Sequence, residues 1–127
     1  MKTTILFAGD INLMDVQGPE VPFPRVLDVL RAADLRFANL ECSIHEAADH
    51  RFAPADGLQC TRAVAESLRI AGFDVLGTAN NGNYGAQAIV ETLAALDGMG
   101  IAQVGSGETP EQAYAPAIVE ATGVKVG

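Results

Sequence analysis

Positive charge is scarce in this chain. Eight Lys and Arg stand against sixteen Asp and Glu, a formal net charge of −8 over 127 residues. Nucleic-acid binding needs clustered Lys and Arg to displace counterions from phosphates, so no nucleic-acid partner is expected. The imbalance suits a soluble protein, or a site that gathers cations. Cysteine is almost missing too. Cys42 and Cys60 are the only two and lack CxxC spacing, which points to buried free thiols rather than a disulfide framework or a structural zinc site. Long hydrophobic runs are absent. The opening MKTTILFAGD carries one Lys and a few apolar residues before Asp10, too short for a signal peptide or a bilayer span. It reads as a first strand, and the chain as written is expected in the cytoplasm. No internal repeat or low-complexity tract is found, and the length is that of one domain, 1–127.

What is present is an alternation of strands and helices. Thr3–Ala8 is apolar on both alternate faces and predicts a central strand that stops at Gly9-Asp10-Ile11-Asn12. Three prolines between Met14 and Pro24 make a loop, with Pro24 placed as the first residue of a helix. On that helix Val26, Leu27, Leu30 and Ala33 share the inner face. Leu35–Leu40 predicts a second strand, ending at Asn39-Leu40-Glu41. Cys42–Gln59 is polar, holds both histidines, Arg51-Phe52 and an Asp56-Gly57 turn, and predicts no regular structure. Thr61–Ala71 predicts a helix with Val64, Leu68 and Ala71 inward and Gly72 closing it.

Phe73–Gly85, FDVLGTANNGNYG, is the stretch around which the rest is arranged: a short apolar strand, then an Asn/Gly loop, then an amphipathic helix over Ala86–Met99. That helix carries Ile89, Val90, Leu93, Ala94 and Leu96 as its apolar stripe. Ile101–Val104 predicts a strand stopping at Gly105-Ser106-Gly107. Thr109-Pro110-Glu111-Gln112 has the threonine cap, first-turn proline and capping-box Gln of a short helix. Ala117–Glu120 and Val124–Val126 predict two strands joined at Thr122-Gly123. The order β-α-β-α-β-α-β predicts an α/β fold with a largely parallel sheet, right-handed crossovers and flanking helices.

In such a sheet the strand ends converge at one edge, where α/β proteins place ligands. Asp10 and Asn12 end the first strand, Asn39 and Glu41 the second, Asn80 and Asn81 the third, and Gly105-Ser106-Gly107 the fourth. Carboxylate and amide oxygens suit hard or borderline divalent cations. Asp10–Asn12 does not open an EF-hand loop, because Asp15 occupies the sixth position where glycine is required. Taken singly, Asp10, Asn39 and Glu41 are ordinary turn, cap or solvated residues. His45 and His50 read as surface residues, since neither has paired ligand spacing. Ser106 has no histidine arranged to activate it.

Taken together, Gly9-Asp10, Ala33–Glu41 (ADLRFANLE), Ala71–Asn81 (AGFDVLGTANN), Tyr84-Gly85 and Gly100–Gly107 (GIAQVGSG), with the later EQAYAP, resemble the bacterial CapA family. That family is linked to poly-γ-glutamate capsule synthesis and belongs to the calcineurin-like metallophosphatase superfamily. The resemblance covers the N-terminal half of such a domain and suggests a chain truncated after Gly127. It implies the first half of an αββα sandwich and a metal-dependent phosphoesterase-like activity. By resemblance Asp10, Glu41 and Asn81 are the metal ligands, with Asn12, Asn39 and Asn80 secondary, and the cation is Mn, Mg, Zn or Fe. It also implies capsule-biosynthesis partners, frequent membrane anchoring or extracytoplasmic location, and self-association through an uncovered sheet face or edge. One departure bears on catalysis. Gly82 stands where the family's Asn-Asn-His motif places the general-acid histidine, whose loss typically costs a factor of about 10²–10⁴. Hydrolysis is therefore expected to be impaired, and no catalytic residue is assigned. Two other readings remain: a non-catalytic binding or assembly module in polymer biogenesis, and a small-molecule binder using Gly105-Ser106-Gly107 as an anion loop.

Overall fold

The computed structural model describes residues 2–46, 57–83 and 85–127. A four-stranded parallel sheet runs in the order β1-β2-β5-β6, formed by β1 (Ile5–Ile11), β2 (Leu35–Leu40), β5 (Val75–Gly77) and β6 (Ala102–Val104). Between them lie α1 (Leu27–Arg31), α2 (Arg62–Ala71) and α3 (Ala86–Gly98). The α/β class and the parallel sheet with flanking helices are as the alternating pattern predicts. No helix among the described residues is long and apolar enough to cross a membrane.

The core fills the space between one face of the sheet and these helices. Ala38, Leu40 and Leu76 from the strands meet Leu68, Ala71, Ala95 and Leu96 from α2 and α3, all of them without solvent exposure. Phe23 and Phe73 close one side with rings 5.6 Å apart, edge to face. On α2, Val64, Leu68 and Ala71 are buried as their spacing predicts. Thr61 caps its start by accepting the Val64 N–H, and Gly72 ends it at φ 82°, a left-handed conformation that glycine adopts without penalty.

The opposite face is apolar but thinly covered. Phe7 and Phe37 stand as cross-strand partners with rings 5.9 Å apart, and Phe7 is 72% exposed. A hairpin of β7 (Val119–Ala121) and β8 (Val124–Val126) lies over part of this face. Its turn, Thr122-Gly123, has φ 51° and 80°, matching the sense of strand twist. Between sheet and hairpin runs a groove of about 230 Å³ lined by Ile5, Phe7, Phe37, Val75, Val119 and Val126. The short α4 (Pro110–Tyr114) begins with the capping box that Thr109 and Gln112 predict.

Four expectations are corrected. First, β1 is an edge strand rather than a central one, and it runs on through Asp10 to Ile11. Apolar residues on both of its alternations report that both faces of the sheet are apolar, not that β1 has neighbours along both edges. Secondly, α1 starts at Leu27, so Pro24 lies outside it and Val26 is half exposed. Thirdly, part of the stretch expected to be irregular forms a parallel ribbon, β3 (Ser43–His45) with β4 (Gln59–Thr61). The ribbon is tucked against α2 and α3, with Ile44 and Cys60 in the core. Polar residues there hid strands too short to show an alternation. Lastly, α3 buries Ala88, Thr92, Ala95 and Leu96, whereas Val90 and Ala94 face out. Thr92 explains the rotation: its hydroxyl accepts the Ile44 N–H at 2.8 Å and donates to the Ala88 carbonyl at 2.7 Å. His50, Arg51, Phe52, Asp56 and Tyr84 lie outside the described residues.

Candidate functional site

The site forms at the carboxyl edge of the sheet, and one irregularity in β1 makes it. The β1–β2 register pairs Phe7 with Phe37 but Asp10 with Asn39, so β1 carries one extra residue between them. Without that bulge Asp10 would fall opposite Leu40, which is fully buried in the apolar core. With it, Ile11 takes the place beside Leu40, and Asp10 stands level with Asn39. Bulges re-aim side chains in this way at sheet margins.

Three amides then link the strand ends. Asn39 donates through Nδ2 to Asp10 Oδ1 at 2.6 Å. Asn80 donates to Asn39 Oδ1 and to the Leu40 carbonyl, both at 2.8 Å. The Asn80 oxygen accepts the backbone N–H groups of Gly82 and Asn83, at 2.9 and 3.1 Å, which folds the loop after β5 into a tight turn. Asn83 donates to the carbonyls of Leu40 at 2.7 Å and Thr78 at 3.1 Å, and accepts from Ser43 Oγ at 3.3 Å. Asn83 was not among the residues picked out from the sequence. Its signal there was the recurrence of a third asparagine within one β–α loop.

Glu41 follows β2 directly and is half buried, its backbone N–H held by the Ile11 carbonyl at 2.9 Å. Its carboxyl is raised above the ordinary value by desolvation first, then by the charge and closeness of the Asp10 carboxyl. Two acids thus stand side by side, and neither has an ion-pair partner among the described residues.

The other candidates fall into place around this pair. Asn81 is exposed on the same loop and sits outside the amide network. Asn12 uses its oxygen to accept the Met14 N–H at 2.9 Å, as a turn residue does. Gly82 is buried with its backbone pressed on Glu41, and a Cβ there would lie 2.6 Å from the Glu41 carbonyl oxygen. Ser106 donates to the Thr78 carbonyl at 3.3 Å and so supports the loop. His45 lies in β3 rather than in a loop, and pairs with Glu91 across to α3 at 2.9 Å.

As a cation site, the donor set is two adjacent carboxylates with an exposed amide nearby. Among the described residues no group of three or more His, Cys, Asp or Glu gathers anywhere. The oxygens of Asn12, Asn39, Asn80 and Asn83 are already engaged within the protein. The carboxylate pair suits one hard divalent ion, because an added positive charge would relieve the repulsion that raises Glu41.

Comparison with known proteins identifies the family of the chain. Two uncharacterized proteins of Sinorhizobium fredii strain NGR234, y4sH and y4uA, are each 29% identical over 126 residues, covering 92% of this chain. The chain spans 27% of the length of each. The family model of the bacterial capsule synthesis protein PGA_cap matches residues 4–127, nearly the whole chain, and the protein belongs to that family.

Proposed function

We propose that this chain supplies the acidic strand-end portion of a metallophosphatase-like centre in a capsule synthesis protein. Asp10 and Glu41 would hold one divalent cation (Mn²⁺, Mg²⁺, Zn²⁺ or Fe²⁺), with Asn81 as a further ligand. The observation that carries this reading is the juxtaposition of the two carboxyls at the edge where α/β sheets place ligands. Such an ion, when bound, acts as a Lewis acid toward a phosphoryl oxygen. The chain's own residues do the remaining work. Asn39 and Asn80 orient Asp10 toward that edge, and Glu41 would supply the second carboxylate oxygen donor beside it.

Hydrolytic turnover in this chain is proposed to be impaired, which keeps a second reading in play: a non-catalytic binding or assembly module working with capsule-biosynthesis proteins. Gly82 favours it, since the packing against Glu41 leaves no room for a side chain where the general acid would stand. The thinly covered apolar face is where association with a second copy or another protein would occur.

Thermal unfolding with and without Mn²⁺, for wild type and Glu41→Ala, tests the first reading. A ligand that prefers the native state stabilises it by about 2.7 kcal/mol at a hundredfold excess over its Kd. Wild type is expected to shift upward and Glu41→Ala not to shift. Equal shifts in both would remove Glu41 from the site. Phosphoesterase activity that needs Mn²⁺ and disappears in Glu41→Ala would sink the non-catalytic reading. Gly82→His is expected to cost about 1–3 kcal/mol through overpacking and to restore no hydrolysis.

A further inference from the structure

Cys42 and Cys60 lie 18 positions apart in sequence, yet their Sγ atoms are 3.9 Å apart in the core. They are 0% and 2% exposed and both are free thiols. The backbone brings them together. Cys42 enters β3, Cys60 lies in β4 opposite Ile44, and the parallel ladder fixes the two strands side by side. Two buried cysteines can be nothing more than small apolar side chains. Contact between the only two sulfhydryls, on strands already locked in register, is a stronger statement. A disulfide is about 2.05 Å long, so closure requires an approach of roughly 2 Å.

We propose that Cys42 and Cys60 form an oxidisable dithiol, a modification site that closes to an intramolecular disulfide on exposure to a peroxide. One sulfur attacks the peroxide O–O bond and becomes a sulfenic acid, releasing water. The second sulfur then attacks the first, an S–S bond forms, and the sulfenic oxygen leaves as a second water carrying the remaining thiol proton. Two electrons pass from the sulfurs to the peroxide, and two thiols with one hydrogen peroxide give one disulfide and two waters. Hydrogen peroxide is close to water in size, so local opening of the β3–β4 ribbon is enough to admit it. The product would strap β3 to β4 immediately behind Glu41, the residue preceding Cys42. A dithiol thiol exchanger reverses it.

The folded protein is treated with hydrogen peroxide at neutral pH, then denatured for thiol counting and intact mass. Wild type is expected to lose both thiols together, to lose about 2 Da, to stay monomeric on a non-reducing gel, and to regain both thiols with dithiothreitol. Cys42→Ser and Cys60→Ser should instead add oxygen to the remaining thiol, about 16 Da per atom. Two thiols that still titrate after native treatment, while the urea-unfolded chain oxidises at the same dose, would overturn the proposal. So would oxygen adducts or intermolecular disulfides as the main wild-type products. If either serine variant fails to fold, the wild-type mass and thiol count decide the matter alone.

Discussion

The two ends of the same sheet treat their acidic residues in opposite ways. At the amino edge, Asp34 accepts the Thr4 N–H at 2.8 Å. Asp74 accepts both the backbone N–H and the Nε of Arg36, at 2.7 and 2.9 Å. Each of these carboxylates is consumed by the fold. At the carboxyl edge, Asp10 and Glu41 stand together, with Asp10 held by the Asn39 amide and neither acid compensated by a guanidinium among the described residues. Charge that serves the fold is paired; charge left stacked marks the place where a cation would be welcome. The sharpest test is Asp74→Ala, which strands two donors in a partly buried position. Hydrogen bonds to charged groups contribute about 1.5–3 kcal/mol, so a loss of that order is expected in urea unfolding. Asp10→Ala should cost clearly less, or stabilise. Equal losses from the two substitutions would erase the distinction between the edges.

A smaller effect probes how the carboxyl edge is held together. Asn80→Ala removes donors to Asn39 and Leu40 and the acceptor that folds the Gly82–Asn83 turn. A cost of about 1–2 kcal/mol is expected, with any Mn²⁺ response weakened because Asp10 loses its support. Asn81→Ala, one position along, should stay within about 0.5 kcal/mol in the absence of metal, as exposed substitutions do. If the two asparagines proved equivalent without metal, the amide relay would not be what organises the edge.

These contrasts also show what the residues alone disclosed. The four-strand alternation was legible because Thr3–Ala8, Leu35–Leu40, Phe73–Gly77 and Ile101–Val104 are short, largely apolar stretches set between helical patterns. The helix ends at Gly72 and Thr109 act through neighbours three or four positions away, so local sequence contains them entirely. The convergence of Asp10, Asn39, Glu41 and Asn80 followed from strand order. The bulge between Phe7 and Asp10 did not, because it is a property of how β1 meets β2 rather than of β1. For the same reason nothing local marked β3 and β4 as partners, since each is only three residues long and gains its place by packing on α2 and α3. Which asparagine binds the backbone and which faces solvent was equally invisible. Asn80 and Asn81 are identical side chains, separated only by the direction the turn gives them.

The smallest expected effect has the most informative sign. Glu41 titrates above its ordinary range, through desolvation first and the neighbouring Asp10 second. A carboxyl with a raised folded-state pKa favours the native state fully below its unfolded pKa, about 4.3 for Glu, and loses that contribution as pH rises through the raised value. Glu41→Gln, which cannot ionise, should therefore match wild type at low pH and melt slightly higher at neutral pH. Adding Mn²⁺ should invert the neutral-pH ranking, because the cation favours the ionised pair that only wild type can present. This is opposite to the amino edge, where Asp74→Asn is expected to lose stability at neutral pH by giving up a charged partner for Arg36. A Glu41→Gln variant less stable than wild type at neutral pH without metal would mean that an unseen donor already compensates Glu41, and the site would then be structural like the other edge.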